Sequence, residues 1–202
     1  MPDVYNPNCT DCALHQNANF VCMPGRGSWG APGLVVGEAP GRKEDVEGRP
    51  FVGDAGEYLR VALRGAGLVP DEDVFLTNAA KCRPTTPEGK FNLKPGPAQI
   101  EACRQYLIKE VELLQPRAML LLGGPALEAF IPRPHTPTVT RARGTLLPSP
   151  RISPHTKVTA TWHPSYVLRK GGAGYPTGEQ FDQDIALFAD LLKSSLWVDS
   201  AG

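Results

Sequence analysis

Four short apolar runs along the chain have the character of buried strands, and each stops abruptly at a glycine, an asparagine or a Trp-His-Pro turn. They cover residues 34–36, 74–77, 118–122 and 158–161. Between them, apolar residues recur at helical spacing, most clearly over 100–114, where the stripe ends before Pro116. A last helical stripe runs from Phe181 to Leu192. The pattern therefore predicts strands that alternate with helices.

Such alternation favours parallel strand pairing through right-handed crossovers, with helices on both faces of the sheet. We predict an α/β fold: a three-layer α/β/α sandwich around a short, central, parallel four-stranded sheet, with residues 1–202 in one domain. Ligands of such sheets bind beyond the carboxyl ends of the strands. The residues that follow each strand should therefore form one site, and they are Gly37, Glu38, Ala39, Pro40, Gly41, Asn78, Gly123, Gly124 and His163.

The charge balance excludes a strong overall attraction to nucleic acid. Lysine plus arginine equal aspartate plus glutamate at 21 each, so any basic footprint must be local. The first residues, MPDVYNPNCTDC, lack a basic segment followed by an apolar run, and the longest apolar run is too short to span a bilayer. We expect a soluble intracellular protein, cytoplasmic in a prokaryotic-type cell, and a monomer.

The turn after the first strand carries acids instead of a phosphate-binding spacing. The segment LVVGEAPGRKEDVEGRPFVG matches neither G-x-G-x-x-G nor G-x-x-x-x-G-K-[ST]. It contains Glu38, then Glu44 and Asp45, and a lone aromatic residue, Phe51. With an amide at Asn78 and an imidazole beyond the fourth strand, this edge has the chemistry to grip a small polar ring. Glu44 and Asp45 can equally belong to a solvated face.

The five cysteines indicate a metal site more than a disulfide framework, because their number is odd and no signal peptide is evident. Cys9 and Cys12 form a C-x-x-C pair, and Cys22, Cys82 and Cys103 follow. Four thiolates suit zinc or an iron–sulfur cluster, and spacing does not separate the two. Cys103, on an apolar helical stripe, can also be only a small buried hydrophobe.

Four motifs together resemble the family 4 uracil-DNA glycosylases, the iron–sulfur members of that superfamily. They are CTDC (9–12), GEAPGRKEDVEGRPFVGDAG (37–56), TNAAKCRP (77–84) and TWHPSYVLR (161–169), and the resemblance spans nearly the whole chain. It implies an α/β/α sandwich and a monofunctional glycosylase that hydrolyses the N-glycosidic bond of uracil in single- or double-stranded DNA, leaving an abasic site. It also implies a structural [4Fe-4S] cluster held by Cys9, Cys12, Cys82 and Cys103. Cys22 is extra and is a rival for one ligand position, but we expect it to be a free thiol because Cys82 and Cys103 fit the motif.

The resemblance also implies roles for the pocket residues. Phe51 is similar to the aromatic residue on which the extruded uracil stacks, and Asn78 to the amide that reads its polar edge. His163 resembles the histidine that bonds uracil O2, and Glu44 the acid that closes the pocket where a thymine methyl would sit. Gly37, Glu38 and Ala39 occupy the first motif, where Ala39 cannot orient water and Glu38 either does so or braces the turn. Three of these residues also have a purely structural interpretation. Phe51 can fill the core, Asn78 can belong to a turn at the end of a strand, and His163 can be a structural histidine.

Contacts to the DNA backbone are less specific in the sequence. Gly123 and Gly124 can present amides to a phosphate, and Ser165 and Arg169 follow His163 on the same edge. Leu168 is a candidate to fill the gap left by the flipped base. Further basic candidates are Arg141, Arg143 and Lys170, although ordinary surface charge explains them equally well. The segment between Cys82 and Cys103 is longer than the family pattern and is expected to face DNA.

Two other functions fit parts of this sequence. A DNA-binding relative that senses damage or forms a covalent adduct would keep the fold and the cluster without efficient excision. Intact Glu38, Asn78 and His163 argue against it, as does the lack of a basic, histidine-bearing insertion after the first motif. An iron–sulfur electron carrier would not need Phe51, Asn78 or His163.

Overall fold

A computed structural model of the protein describes residues 4–194. It contains a parallel four-stranded sheet in the order β2-β1-β3-β4. The strands are β1 (Gly33–Gly37), β2 (Val74–Asn78), β3 (Ala118–Leu122) and β4 (Lys157–Thr161). Each predicted strand is confirmed to within one residue at either end.

Helices connect the strands and cover the sheet. They are α1 (Arg42–Glu47), α2 (Asp54–Gly65), α3 (Pro97–Leu114), α4 (Gly123–Phe130), α5 (Val139–Ala142), α6 (Pro164–Arg169) and α7 (Pro176–Lys193), with a 3-10 turn at Ala13–Gln16. Pro97 starts α3 because its ring presets the helical φ, and the Gly96 N–H donates to Gln99 Oε1 at 2.7 Å. No helix within residues 4–194 is long and apolar enough to cross a bilayer.

Alternate residues of the strands form two apolar cores, one on each face of the sheet. Leu34, Val36, Met119 and Leu121 belong to the core that includes residues of α3 and α4. The other face carries Val35, Leu76, Leu120 and Leu122 against Leu59 and Leu63 of α2 and Phe181, Ile185 and Phe188 of α7. Each such side chain contributes about 1.5–3 kcal/mol when buried. The predicted three-layer sandwich is confirmed, and its rigid core fixes the carboxyl edge of the sheet.

A buried carboxylate joins the cysteine-bearing N-terminal segment to α1. Asp45 is only 1% exposed, and its oxygens accept hydrogen bonds from the backbone N–H groups of Asn19 and Phe20 and from the Asn19 amide. The solvated-face interpretation of Asp45 is therefore wrong. The charge of Asp45 suggested that its side chain is exposed to solvent. Instead, its carboxylate accepts hydrogen bonds from backbone N–H groups 25 and 26 residues away.

Candidate active site and cysteine-lined cavity

A cleft of about 730 Å³ opens at the carboxyl edge of the sheet. It brings together nearly all the predicted pocket and DNA-contact residues: Glu38, Ala39, Glu44, Phe51, Asn78, Gly123, Gly124, His163, Ser165 and Arg169. Gly37 lies against two of these side chains, as described next. Leu168 lies outside the lining, on α6, with 38% of its surface exposed.

Gly37 allows Phe51 and Asn78 to meet beside β1. Gly37 and Asn78 are paired at the ends of β1 and β2, and a Cβ at position 37 would collide with both Asn78 Oδ1 and the Phe51 ring. The aromatic ring and the carboxamide are therefore neighbours. Asn78 is 6% exposed, yet within residues 4–194 its amide has no hydrogen-bond partner. Its polar atoms are not among the fully buried, unpaired atoms of the described residues, so they face the cleft and are available to a ligand.

The backbone around Phe51 is held by Glu44 and Arg60. Phe51 has φ of +56°, a left-handed conformation that costs energy for a residue with a side chain. Glu44 Oε1 accepts the N–H groups of Val52 at 3.0 Å and Gly53 at 2.7 Å, and Arg60 Nε donates to the Phe51 carbonyl at 3.3 Å. These bonds fix the ring in the cleft wall. Glu44 thus braces this turn as well as lining the cleft, which its solvated-face interpretation did not anticipate.

His163 follows β4 and caps the start of α6. Its Nδ1 accepts the backbone N–H of Ser165 at 3.2 Å and lies 2.8 Å from the Ser165 hydroxyl. Burial, followed by the positive charge of Arg169, lowers the pKa of His163 to about 4. Gly123 has φ of +84°, where a side chain would be strained, and a Cβ there would lie 3.1 Å from His163 Cβ, so glycine lets the two backbones approach closely. The imidazole is therefore neutral and fixed.

Glu38 faces two cations across the cleft. Burial raises the pKa of its carboxyl group, while the charges of Lys94 and Arg169 oppose that rise. The Glu38 side chain has no hydrogen-bond partner among residues 4–194, so the turn does not depend on it. Lys94 and Asn92, both lining the cleft, come from the segment between Cys82 and Cys103. Sequence reasoning assigned that segment to DNA but named neither residue, although a lysine between an apolar residue and a proline was a visible signal.

Arg143 is not available to bind phosphate. Its guanidinium donates two hydrogen bonds to Asp184, at 2.9 and 3.0 Å, and one to the Gln180 carbonyl. Asp184 is buried and also accepts a bond from Thr161 at the end of β4. The phosphate assignment of Arg143 is therefore wrong, since the side chain neutralises a buried carboxylate. Arg141 and Lys170 are exposed.

All five cysteines line a second, small cavity. The backbone N–H of Cys22 donates to Cys82 Sγ at 3.3 Å and that of Lys81 to Cys103 Sγ at 3.4 Å. Burial raises the pKa of Cys82 to about 11 and that of Cys103 to about 12, so a bound cation is needed to hold them as thiolates. Across residues 4–194, no three His, Cys, Asp or Glu side chains converge on a point suited to a single metal ion.

A buried ion pair lies between the cysteine cavity and the cleft. Lys81 and Glu110 are 1% and 0% exposed, and Lys81 Nζ lies 2.8 Å from both Glu110 oxygens. Thr77 accepts from Lys81 at 2.6 Å and donates to Glu110 at 2.7 Å, and Tyr5 donates to Glu110 at 2.6 Å. Lys81 precedes a cavity cysteine and Thr77 precedes Asn78, so this network links the two sites. Sequence reasoning missed it, because no local pattern pairs a lysine with a glutamate 29 residues away.

Comparison with known proteins agrees with this arrangement. A family model described as the uracil DNA glycosylase superfamily matches residues 24–190. The chain is 38% identical over 187 residues to a type-4 uracil-DNA glycosylase of Archaeoglobus fulgidus, covering 91% of this chain and 88% of that one. It is 37% identical to the type-4 enzyme of Pyrobaculum aerophilum, over 90% of this chain and 88% of the relative, and 38% identical to that of Thermotoga maritima, over 80% and 78%.

An α/β/α sandwich whose carboxyl-edge cleft joins an aromatic ring, an amide and a neutral imidazole defines the class of protein, the uracil-DNA glycosylase superfamily. Within that superfamily, the chain belongs to the type-4 uracil-DNA glycosylases. The resemblance noted in the sequence is confirmed.

Proposed function

We propose that this protein is a DNA repair enzyme that hydrolyses the N-glycosidic bond of uracil in DNA, releasing uracil and leaving an abasic site. The observation that carries this proposal is the Asn78 amide, which lines the cleft beside the Phe51 ring and has no hydrogen-bond partner among residues 4–194. A flat ligand with a donor and an acceptor on its edge satisfies both groups at once. The names of the type-4 relatives support uracil as that ligand.

Binding in the cleft must offset the free energy of extruding the base from a duplex, which is about a few kcal/mol. Stacking on the Phe51 ring returns about 1–3 kcal/mol, but it does so for any base. Because Glu44 and Arg60 already hold the turn, the ring does not have to be ordered when the base arrives. This preorganisation keeps more of the stacking energy for binding.

Selectivity comes from Asn78. Its carboxamide accepts from uracil N3–H and donates to O4, whereas cytosine presents the opposite pattern. With cytosine, an amide that is 6% exposed would face like groups and remain unsatisfied. Such a mismatch costs about 1–3 kcal/mol for each buried group left without a partner. Glu44, at the same wall, restricts the space beside the ring.

His163 stabilises the leaving group. When the C1′–N1 bond breaks, its electron pair goes to the uracil ring and charge collects at O2. Since Nδ1 accepts from Ser165, the neutral ring carries its proton on Nε2, which donates to O2 without giving the proton up. A fixed donor of this kind is worth about 3–4 kcal/mol in the transition state.

Glu38 completes the hydrolysis on the sugar side. Its carboxylate is free of other hydrogen bonds within the described residues and sits where it can position water and offset the cationic sugar. Water supplies the hydroxyl group that adds to C1′, and its proton leaves to the carboxylate or solvent. Ala39 contributes shape only. Gly124, Ser165, Arg169 and Lys94 lie where backbone phosphates can approach the cleft.

Cys9, Cys12, Cys82 and Cys103 fit a [4Fe-4S] cluster, which would supply rigidity and no electron for this reaction. Backbone N–H groups directed at two of the sulfurs are typical partners of cluster thiolates. Four cysteines that line one small cavity can supply the four thiolates of such a cluster, and the type-4 relatives favour the cluster over zinc. Cys22 is the thiol outside the set, and its backbone supports Cys82.

The proposal is tested by single-turnover release of uracil from a labelled oligonucleotide with one U, beside matched oligonucleotides carrying T or C. Alkali-sensitive cleavage at U alone is expected. Binding or a covalent adduct without release would contradict the proposal and favour the damage-sensing function. We expect a monomer to be active on single- or double-stranded DNA in the cytoplasm.

A further inference from the structure

A short hairpin, residues 84–94, stands at the rim of the cleft. Its arms are joined by hydrogen bonds from the Leu93 N–H to the Pro84 carbonyl at 2.8 Å and from the Thr86 N–H to the Phe91 carbonyl at 3.1 Å. Gly89, with φ of +69°, closes the turn. The chain enters this hairpin directly from Cys82 and returns through α3 to Cys103, so both ends are anchored at the cysteine cavity.

A buried arginine fastens the hairpin from within. Arg83 Nε donates to Asn92 Oδ1 at 2.7 Å, and its Nη2 donates to the Gly89 carbonyl at 3.2 Å. The Arg83 guanidinium, which lies just before the first arm, is therefore bonded to the second arm at Asn92 and to the turn at Gly89. The hairpin presents its surface in a defined shape.

Two large apolar side chains of the hairpin are exposed to solvent. Phe91 is 60% exposed and Leu93 50% exposed, and they flank Asn92, which pairs with Thr85 across the hairpin. Leu93 also lines the cleft, together with its neighbours Asn92 and Lys94. Two large apolar side chains held in water by a braced hairpin indicate a surface that a partner covers.

The charges around the two apolar residues indicate what that partner is. Lys90 Nζ lies 5.2 Å from the Phe91 ring centroid, and Lys94 follows Leu93. Glu88 at the turn is the one exposed acid of residues 84–94. Arg42 and Arg169 also line the cleft, as does Lys43, which is paired with Asp54 at 2.7 Å. Cations that flank apolar side chains complement a ligand with apolar ring faces between phosphates.

We infer that the 84–94 hairpin inserts into duplex DNA, where Phe91 and Leu93 pack against the base stack beside the extruded nucleotide and Lys90 and Lys94 bind the flanking phosphates. The inference rests on the proposed function and assigns this hairpin the task of holding the duplex open. The hairpin is distinct from Leu168, the residue on α6 that is the candidate to fill the gap left by the extruded base.

The test compares the double variant Phe91→Ala/Leu93→Ala with Leu113→Ala. Leu113 is also 50% exposed but lies near the end of α3, which leads to the amino end of β3. Single-turnover excision is measured below saturation on a U:G duplex and on the same oligonucleotide as a single strand. Fluorescence of 2-aminopurine next to the uracil reports unstacking.

We expect the double variant to lose about tenfold or more in duplex excision, the value of one lost stacking contact, and to lose the fluorescence rise on binding. Its single-strand rate should fall by much less than its duplex rate, because Leu93 lines the cleft in either case, while both rates of Leu113→Ala should remain near those of the wild type. An unchanged duplex rate would overturn the inference, and so would an equal loss on both substrates. If wild type releases no uracil at all, the proposed function fails, and the fluorescence measurement still tests the hairpin.

Discussion

The backbone N–H of Ser165 donates to Nδ1 of His163 across 3.2 Å, and this contact selects the tautomer of the neutral imidazole. A backbone amide can only donate, so Nδ1 must be the unprotonated nitrogen and Nε2 must carry the hydrogen. Burial and Arg169 lower the pKa of the ring to about 4. A neutral donor is what a leaving group with growing negative charge requires, since the bond strengthens as the charge appears and no proton has to move.

His163 should therefore remain neutral from about pH 8 to pH 5, where an ordinary histidine becomes charged. Between about pH 6.5 and 4 the unfolded chain binds a proton here that the folded chain does not. The stability contributed by His163 is thus complete above pH 6.5 and is lost as the pH falls towards 4. NMR of the ring, assigned with His163→Gln, measures the pKa. A midpoint between pH 6 and 7 would contradict the argument.

Asn78→Asp should erode the discrimination between uracil and cytosine. A carboxylate accepts hydrogen bonds but cannot donate to O4, so we expect uracil excision to fall by about tenfold or more for each mismatched bond. Release of uracil and cytosine from matched oligonucleotides gives the ratio.

Asn92→Asp is the matched control for charge. Asn92 also lines the cleft, and its Oδ1 accepts from Arg83, a bond that aspartate retains. Selectivity should be unchanged in this variant. If Asn78→Asp leaves both excision and selectivity unchanged, the assignment of Asn78 is wrong.

Glu44→Ala should loosen the Phe51 turn. It removes a carboxylate that accepts two backbone N–H groups, and bonds to a charged acceptor contribute about 1.5–3 kcal/mol each. We expect a lower melting temperature and weaker binding of uracil-containing DNA. Glu47→Ala, on the same helix, removes only an exposed pair with Arg49 and serves as control.

Glu44→Gln separates bracing from thymine exclusion. Glutamine keeps one oxygen that can accept both N–H groups, so much of the stability should return. Release of thymine by Glu44→Ala but not by Glu44→Gln would show that bracing and exclusion both act through the shape of this turn. Equal stability of Glu44→Ala and wild type would refute the bracing role.

The fold was predictable because its signals are local. Apolar runs indicated the strands, helical spacing indicated α3 and α7, and parallel pairing placed Asn78 and His163 at one edge of the sheet. The roles of Asp45 and Arg143 were not predictable, since each is decided by a partner distant in sequence, Asn19 in one case and Asp184 in the other. Charged residues look alike in a sequence whether they face water or neutralise a buried group. The catalytic roles of Glu38, Asn78 and His163 remain predictions.

Breaking the buried pair of Lys81 and Glu110 should destabilise the protein strongly, whereas replacing both charged groups should destabilise it less. Lys81→Met leaves a fully buried carboxylate with Thr77 and Tyr5 only, and losing one partner of a buried pair costs about 3–5 kcal/mol. Lys81→Met/Glu110→Gln should recover part of that stability because no charge is left alone. Denaturant unfolding of the wild type and both variants measures the difference. A double variant no more stable than Lys81→Met would show that the charges do not act as a pair.

Cys82→Ala should remove the visible absorption of the purified protein, and Cys22→Ala should not, because only Cys82 belongs to the proposed ligand set. Alanine at position 22 keeps the backbone N–H that donates to Cys82 Sγ, so the support of that ligand survives the change. Iron and zinc content, measured on the same samples, distinguishes a cluster from a zinc site. If Cys22→Ala loses the absorption and Cys82→Ala keeps it, Cys22 is the ligand. In that case the left-handed backbone at Cys22, with φ of +50°, would serve to direct its own thiol to the metal instead of its N–H to a neighbour.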